Sequence, residues 1–489
     1  MFSTRFLFFL LAGALAAAPN LRIHGGLADH QVLQRNAQGQ AAFELSGEAE
    51  EAEGATVELR VLGDLLAVNG FDWRPSARVQ GGKWRAQVSA LPIGGPYRVQ
   101  LRLAGRQDVV TVRDILVGDL WVLAGQSNMQ GVGDLVDVTP PHALVHSFDM
   151  TDEWGAAREP LHTLVNAADR VHWPLNASRE PQMFPEDRLR KFLAERKKGS
   201  GLGLPFAAEM IRRTGVPIGL VPCAHGGTSM DQWDPALRDK GGDSLYGSMI
   251  RRVRAVGGKV TGALWYQGES DANPKAAPLF QAKFERFVAS VREYIGDPGL
   301  PFYYVQIGRH VNRANEAEWN LVQESQRRVE ATISRSGLIA SVDAVLDDGI
   351  HVSTGDLKRL GVRFANLACH DLFAAVAECA RLKRGPRPAS AVFRDGVLRV
   401  SFSEVNGSLY STGRLSGFSV HGTDGAPLAV IYKARVDAAD PSAVLLSIQG
   451  KLPPGATLHY GYGKDPYCNL RDRADMAAPV FGPMEIQVP

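Results

Sequence analysis

Cysteine is scarce in this chain, with four in 489 residues: Cys223, Cys369, Cys379 and Cys468. That excludes a disulfide-built scaffold, which packs several bridges into a short chain. Cys369 and Cys379 could pair in an oxidising compartment or remain buried thiols. No Cys and His grouping has zinc-ligand spacing, and the sequence points to no metal or cofactor. An excess of one charge is also missing. The 54 Lys and Arg nearly cancel the 52 Asp and Glu, leaving a net charge of +2, so no electrostatic surface for nucleic acid is expected. Long apolar runs are lacking too. "FLFFLLAGALAAA" (6–18), after Arg5, is too short to span a bilayer comfortably. It reads as an export signal over 1–18 with a cut near Ala16, the alternative being an uncleaved anchor. The mature chain is then expected to be exported, to a periplasm, the extracellular space or a lysosomal-type lumen, with no membrane attachment. Neither an internal repeat nor a low-complexity segment is present.

What is present falls into three textures. From 19 to 115 the apolar pattern has period two. "TVELRVL" (56–62) puts Val57, Leu59 and Val61 on one face, and "YRVQLRL" (97–103) does the same with Tyr97, Val99, Leu101 and Leu103. Such alternation predicts half-buried antiparallel strands and a small β-sandwich domain. From 116 to 385 short apolar runs alternate with helical patterns. The predicted strands are 119–125, 217–223, 260–267, 302–308 and 337–343; the predicted helices are 205–213, 245–256, 276–295, 318–333 and 355–380. Buried strands joined by helices predict a parallel sheet with helices on both faces, hence an α/β domain. The loop-rich stretch 134–200 breaks the rhythm and is expected to overhang the strand ends. After the linker "RGPRPAS" (384–390), period two returns from 386 to 489. A hairpin around Asp395-Gly396 has Leu398, Val400 and Phe402 on one face, predicting a second β-sandwich.

Ligands of open parallel sheets sit beyond the carboxyl ends of the strands. A serine nucleophile belongs on the turn after a strand, where its hydroxyl is exposed and the following N–H groups are free. Ser127 in "LAGQSNM" (123–129) meets that condition: "LWVLA" is a strand and Gly125 lets the chain turn. Ser244, in the letters G-D-S-L at 242–245, follows a polar Gly-rich stretch and precedes a helix, so Ser244 or Asp243 is expected to be a helix N-cap.

A serine needs a base, and the base needs a carboxylate to fix its tautomer. "DDGIHVS" (347–353) supplies Asp348 and His351, after the last predicted strand of the sheet. His225 in "HGGTS" (225–229) is the rival base, but it has no acid at useful local spacing; it is assigned to the pocket wall. Attack on an ester carbonyl also needs donors aimed at the oxyanion. The candidates are the N–H groups of Ser127 and Gly227, with Gly226 as an alternative, and the side chain of Gln267 in "LWYQGES" (264–270). Trp154, Trp233 and Trp265 are candidates for stacking on a substrate ring, against the plainer reading that they are core. Glu269, Asp231 and Glu324 are assigned no chemistry.

Serine, glycine, an amide side chain and Asp-x-x-His, in that order at four strand ends, resemble the SGNH hydrolases. Within them, "GQSNM", "GGTS", "WYQGES" and "DGIH" resemble the sialate O-acetylesterase family and its acetyl xylan esterase relatives. "DHQVLQRN" (29–36), "VRDILVGDLWV" (112–122) and "YGYGKDPYCNLRD" (460–472) extend the resemblance over most of the chain. Gln130 departs from the commoner Glu. The resemblance implies an SGNH-type catalytic sheet flanked by N- and C-terminal β-sandwich domains. It also implies a serine esterase acting on O-acetylated carbohydrate. Acetyl xylan or another plant polysaccharide is the alternative substrate. A non-catalytic glycan-binding protein is the alternative from a different class, and the intact Ser127, Asp348 and His351 argue against it.

Overall fold

The structure, a computed structural model, describes residues 21–488 apart from 65 and 313. The expected export signal over 1–18 lies outside the described residues. The chain divides into two compact units.

The first unit comprises 21–28, Ala42–Ala90 and Tyr97–Asp114. Its strand Thr56–Gly63 pairs antiparallel with 97–103 and with Arg74–Arg78. The period-two pattern is the reason: Val57, Leu59, Val61, Val99 and Leu101 are fully buried, whereas Glu58 and Arg102 form an ion pair on the opposite face.

The second unit takes in Asp29–Ala41, Leu91–Pro96 and the chain from Ile115 onward. Texture alone had assigned 29–41 and 91–96 to the N-terminal β region. Pairing explains the difference. Val32–Gln34 runs parallel to 116–118, Arg35 forms an ion pair with Asp119 at 2.8 Å, and Gln34 donates to Thr261 Oγ1 at 2.9 Å.

The sheet at the centre of this unit contains β1 (Val110–Gly125), β2 (Val145–Phe148), β3 (Trp154–Ala156), β4 (Ile218–Pro222), β5 (Gly262–Tyr266), β6 (Phe302–Gln306) and β7 (Ser336–Ala340). Their order is β3-β2-β4-β1-β5-β6-β7. Along this order β3 runs antiparallel to its neighbour and the other pairs are parallel, so the sheet is mixed. Every residue of β4 to β7 is buried, which is why these strands read as unbroken apolar runs instead of alternating ones.

The main helices are α1 (Ser127–Gln130), α2 (Gly203–Thr214), α3 (Leu245–Ala255), α4 (Phe280–Ile295), α5 (Glu316–Thr332) and α6 (Thr354–Leu372). α2 packs on α6 and α4 on α5. Cys369, near the end of α6, is disulfide-bonded to Cys379, with Cα atoms 5.0 Å apart. Cys223 and Cys468 are free and buried.

Beyond 386 the chain forms further antiparallel sheets with their own buried cluster, including Leu398, Val400 and Phe402. Arg394 faces Val397 across the hairpin. Asp395 and Gly396 both have positive φ, as a two-residue primed turn requires.

Ser244 is the N-cap of α3. Its Oγ accepts from Gly247 N at 3.1 Å and donates to Leu237 O at 2.7 Å. Ser244→Ala is therefore expected to cost about 1 kcal/mol of stability and to leave turnover intact. A loss of turnover at constant stability would reassign this serine.

Candidate active site

The carboxyl-end turns of β1, β4, β5 and β7 carry the polar groups. β1 ends at Gly125, where φ is 136° and a Cβ would lie 2.2 Å from Tyr266 O. Only glycine allows that approach, and it brings the chain sharply into α1, which opens with Ser127. Gly226 follows β4, and a Cβ built on it would lie 3.4 Å from Ser127 Cβ. Gln267 follows β5. The turn after β7 doubles back at an isolated bridge between Leu346 and Val352, and Asp348 and His351 lie between them.

His351 Nε2 is 3.0 Å from Ser127 Oγ, and His351 Nδ1 is 2.7 Å from Asp348 Oδ2. Asp348 Oδ1 accepts from the backbone N–H groups of Ile350 at 2.9 Å and His351 at 2.8 Å. Burial acts to raise the Asp348 pKa. The imidazole and the two N–H groups outweigh it and hold the carboxyl down at about 2. Asp348 therefore stays anionic through neutral pH and fixes the proton of His351 on Nδ1, leaving Nε2 as the acceptor facing Ser127. A serine, an imidazole and a carboxylate joined in that order can generate an alkoxide-like nucleophile.

Asn128, beside the serine, ties three segments together. Its Nδ2 donates to Glu269 Oε1 at 2.9 Å, and its Oδ1 accepts from Val352 N at 3.0 Å. The loop bearing His351 is thus pinned to the turn bearing Ser127. Burial pushes the Glu269 carboxyl up, against the opposing bond from Asn128. Neither side chain was given this role from the sequence, although "QSNM" and "QGES" contain both. The signal is a polar residue beside each motif residue, and a linear pattern does not reveal that the two meet.

The proposed donors fare differently. Gly227 has φ 71° and open space around its Cβ position, and its N–H has no partner among the described residues. Gly226 N is already used, donating to Gln130 Oε1 at 2.8 Å. Gln267 does not meet the expectation of an oxyanion donor. It is fully buried, and both hydrogens of its amide are engaged, to Thr228 O at 3.0 Å and Asp271 Oδ2 at 2.5 Å. The side chain instead braces the loop that carries Gly226 and Gly227.

Trp233 and Trp265 are not sugar platforms. Both are fully buried, packed edge to face at 5.2 Å, with Phe287 4.6 Å from Trp265. Trp233 Nε1 donates to Thr228 Oγ1 at 3.0 Å, and Thr228 Oγ1 donates to His225 O at 2.8 Å, so Trp233 supports the glycine loop from below. Trp154 is half-buried against Phe148. His225 lies half-buried beside the glycines, and its Nδ1 meets Nδ1 of His172 at 3.2 Å. His172 comes from the 134–200 overhang, where no motif had marked it. Asp231 pairs with Lys283, and Glu324 with Arg327 and Arg328.

Among the described residues, no group of three or more His, Cys, Asp or Glu side chains could hold a metal ion. Nor is any helix there long and apolar enough to cross a membrane.

The chain is 27% identical over 271 residues to a probable carbohydrate esterase of Arabidopsis thaliana, covering 50% of this chain and 88% of that protein. It is 24% identical over 270 residues to human sialate O-acetylesterase, and this match spans 49% of each, about half the length of that relative. The fold resembles that of a carbohydrate acetylesterase from Xanthomonas citri, with a TM-score of 0.62, 24% identity, and coverage of 95% of this chain and 98% of that one. Residues 117–370, just over half of the chain and containing Ser127, Asp348 and His351, match the family described as carbohydrate esterase, sialic acid-specific acetylesterase; the chain belongs to that family of carbohydrate esterases.

Proposed function

We propose that the chain is an exported serine esterase that removes acetyl groups from sugar hydroxyls. The observation that carries this reading is the unbroken line from Ser127 Oγ through His351 to Asp348, at 3.0 and 2.7 Å, in a carbohydrate esterase. Ser127 Oγ attacks the acetyl carbonyl carbon while His351 Nε2 takes its proton. The tetrahedral oxyanion is received by the N–H groups of Ser127 and Gly227. As it collapses, His351 gives the proton to the departing sugar oxygen, leaving acetyl-Ser127. Water, deprotonated by the same imidazole, releases acetate and restores the serine. Asp348 stabilises the imidazolium in both steps. The Cys369–Cys379 bond supports an oxidising compartment.

Sialic acid esters are the substrate that the family's description suggests, and acetylated xylan is the alternative. Acetate release from O-acetylated sialic acid, acetylated xylan, pectin fragments and acetylated monosaccharides tests the reading, with 4-nitrophenyl acetate as the simplest ester. Turnover of 4-nitrophenyl acetate and of at least one sugar acetate is expected. A chain inert toward all of them would be a glycan-binding protein instead.

A further inference from the structure

His225 stands at the outer end of a chain of hydrogen bonds that the esterase mechanism does not use. Its ring lies nearly parallel to that of His172, with centroids 5.4 Å apart and planes 22° apart. The two Nδ1 atoms are 3.2 Å apart, so one carries a hydrogen and the other a lone pair. His172 Nε2 lies 3.2 Å from Ser248 Oγ, which lies 2.6 Å from Asp169 Oδ2. Arg251 grips both oxygens of Asp169, Nε at 2.7 Å and Nη2 at 2.8 Å. Ser248 is fully buried and His172 nearly so.

The direction of every bond in this chain follows from its inner end. The Asp169 carboxylate can only accept, so the single hydroxyl hydrogen of Ser248 points at it. Ser248 Oγ then offers His172 a lone pair, and His172 must carry its hydrogen on Nε2. Burial, reinforced by the neighbouring His225 and the Arg252 and Arg251 cations, lowers the His172 pKa well below its ordinary value. The ring is therefore neutral, with one hydrogen only, and its Nδ1 is a bare acceptor. His225 accordingly donates from Nδ1. Burial lowers the His225 pKa as well, so this ring too carries one hydrogen, and Nε2 is left as a lone pair. That Nε2 has no partner among the described residues.

His225 is also close to the nucleophile. Its N–H donates to Gly125 O at 3.0 Å, and the next residue, Gly226, faces Ser127 Cβ. We infer that His225 is a specificity residue whose Nε2 accepts a hydrogen bond from a free sugar hydroxyl next to the acetylated one, with His172 and Ser248 as positioning residues that fix its tautomer. This rests on the esterase reading and sharpens its substrate class: the preferred ester is the monoacetate of a vicinal diol, with the neighbouring hydroxyl unblocked.

The test compares trans-2-hydroxycyclohexyl acetate with cyclohexyl acetate, esters that differ by that hydroxyl alone. The wild type should favour the hydroxy ester in kcat/KM by about 10- to 100-fold, as expected for one buried hydrogen bond made or left unmade. His225→Phe should bring the ratio to within about threefold of one. Ser248→Ala frees His172 to move its hydrogen to Nδ1, which would turn His225 Nε2 into a donor. The ratio should collapse there too and return in Ser248→Thr, a pattern that loss of packing alone would not give. Selective 15N labelling of histidine reads the tautomers directly, and Nδ1–H on His225 with Nε2–H on His172 is expected in the wild type. A wild-type ratio near one, a ratio unchanged in His225→Phe, or Nε2–H on His225 would each overturn the inference. Hydrolysis of 4-nitrophenyl acetate by the wild type separates these outcomes from failure of the esterase reading, since that ester offers no hydroxyl to recognise.

Discussion

Ser127→Ala is expected to lose about 10⁴- to 10⁶-fold in turnover of 4-nitrophenyl acetate while melting like the wild type. The size follows from the chemistry. Ser127 Oγ is the atom that would bond to the acetyl carbon, and among the described residues no other hydroxyl shares its contact with His351 Nε2. What survives is binding and any water that the imidazole can still activate. Stability should hold because the hydroxyl bonds only the partly exposed His351 among the described residues, and the turn itself is fixed by Gly125 and by Asn128, which bonds Glu269 and Val352. The contrast with Ser244→Ala is informative, since that variant should lose stability and keep turnover. If Ser127→Ala kept activity within tenfold of the wild type, the nucleophile would have to be sought elsewhere.

Strand ends were readable from the sequence because a buried parallel strand is a short apolar run and the chain turns where the run stops. That placed Ser127, Gly227 and the pair Asp348 and His351 on turns at strand ends without knowledge of the sheet order. The mixed character of the sheet was not readable. β3 is three residues long, Trp154–Ala156, inside a loop-rich stretch, and three residues carry no period. Gln267 shows a different limit. Residue type and position suited an amide donor, but direction is set by tertiary neighbours. Asp271 sits four residues on, where its carboxylate draws the amide inward. Trp233 and Trp265 show the same limit in apolar form, because an aromatic at a strand end serves platform and core equally well until its neighbours are known. His172 and Asp169 were invisible because their partners, His225 and Ser248, lie 53 and 79 residues away in sequence.

The loop that carries Asp348 and His351 is anchored at its base by a buried ion cluster, and breaking it should give a large loss of stability. Asp343 lies between β7 and Asp348, with its carboxylate 1% exposed. It accepts from Arg363 Nη1 and Nη2 at 2.7 Å each, and from Arg359 Nη2 at 2.9 Å, and Arg471 Nε lies 2.7 Å away. Arg363 is equally buried and also donates to Ala340 O at 2.7 Å and Asp475 O at 2.6 Å. Asp356, which Arg359 bonds as well, accepts from Val345 N at 2.7 Å. The cluster therefore joins the end of β7, α6 and the 471–475 stretch around the root of the His351 loop. Burial acts to raise the Asp343 pKa, but the guanidinium groups of Arg363, Arg359 and Arg471 outweigh it and hold the carboxyl well below its ordinary value. With the folded value depressed, the contribution to stability is present above the ordinary carboxylate range, and it is lost as pH falls through the folded value. Asp343→Asn removes the charge but nearly preserves the shape, leaving buried Arg363 with only the more distant Asp475 carboxylate, 3.7 Å from its Nη2. The loss is expected to be about 3–5 kcal/mol, seen as a midpoint lowered by about 5–10 °C at neutral pH. The gap between variant and wild type should narrow in strong acid. Turnover should also fall at temperatures where the variant is still folded, because the loop that aims His351 at Ser127 loses its anchor. A midpoint within about 1 °C of the wild type at neutral pH would show that Arg363 finds compensation without Asp343.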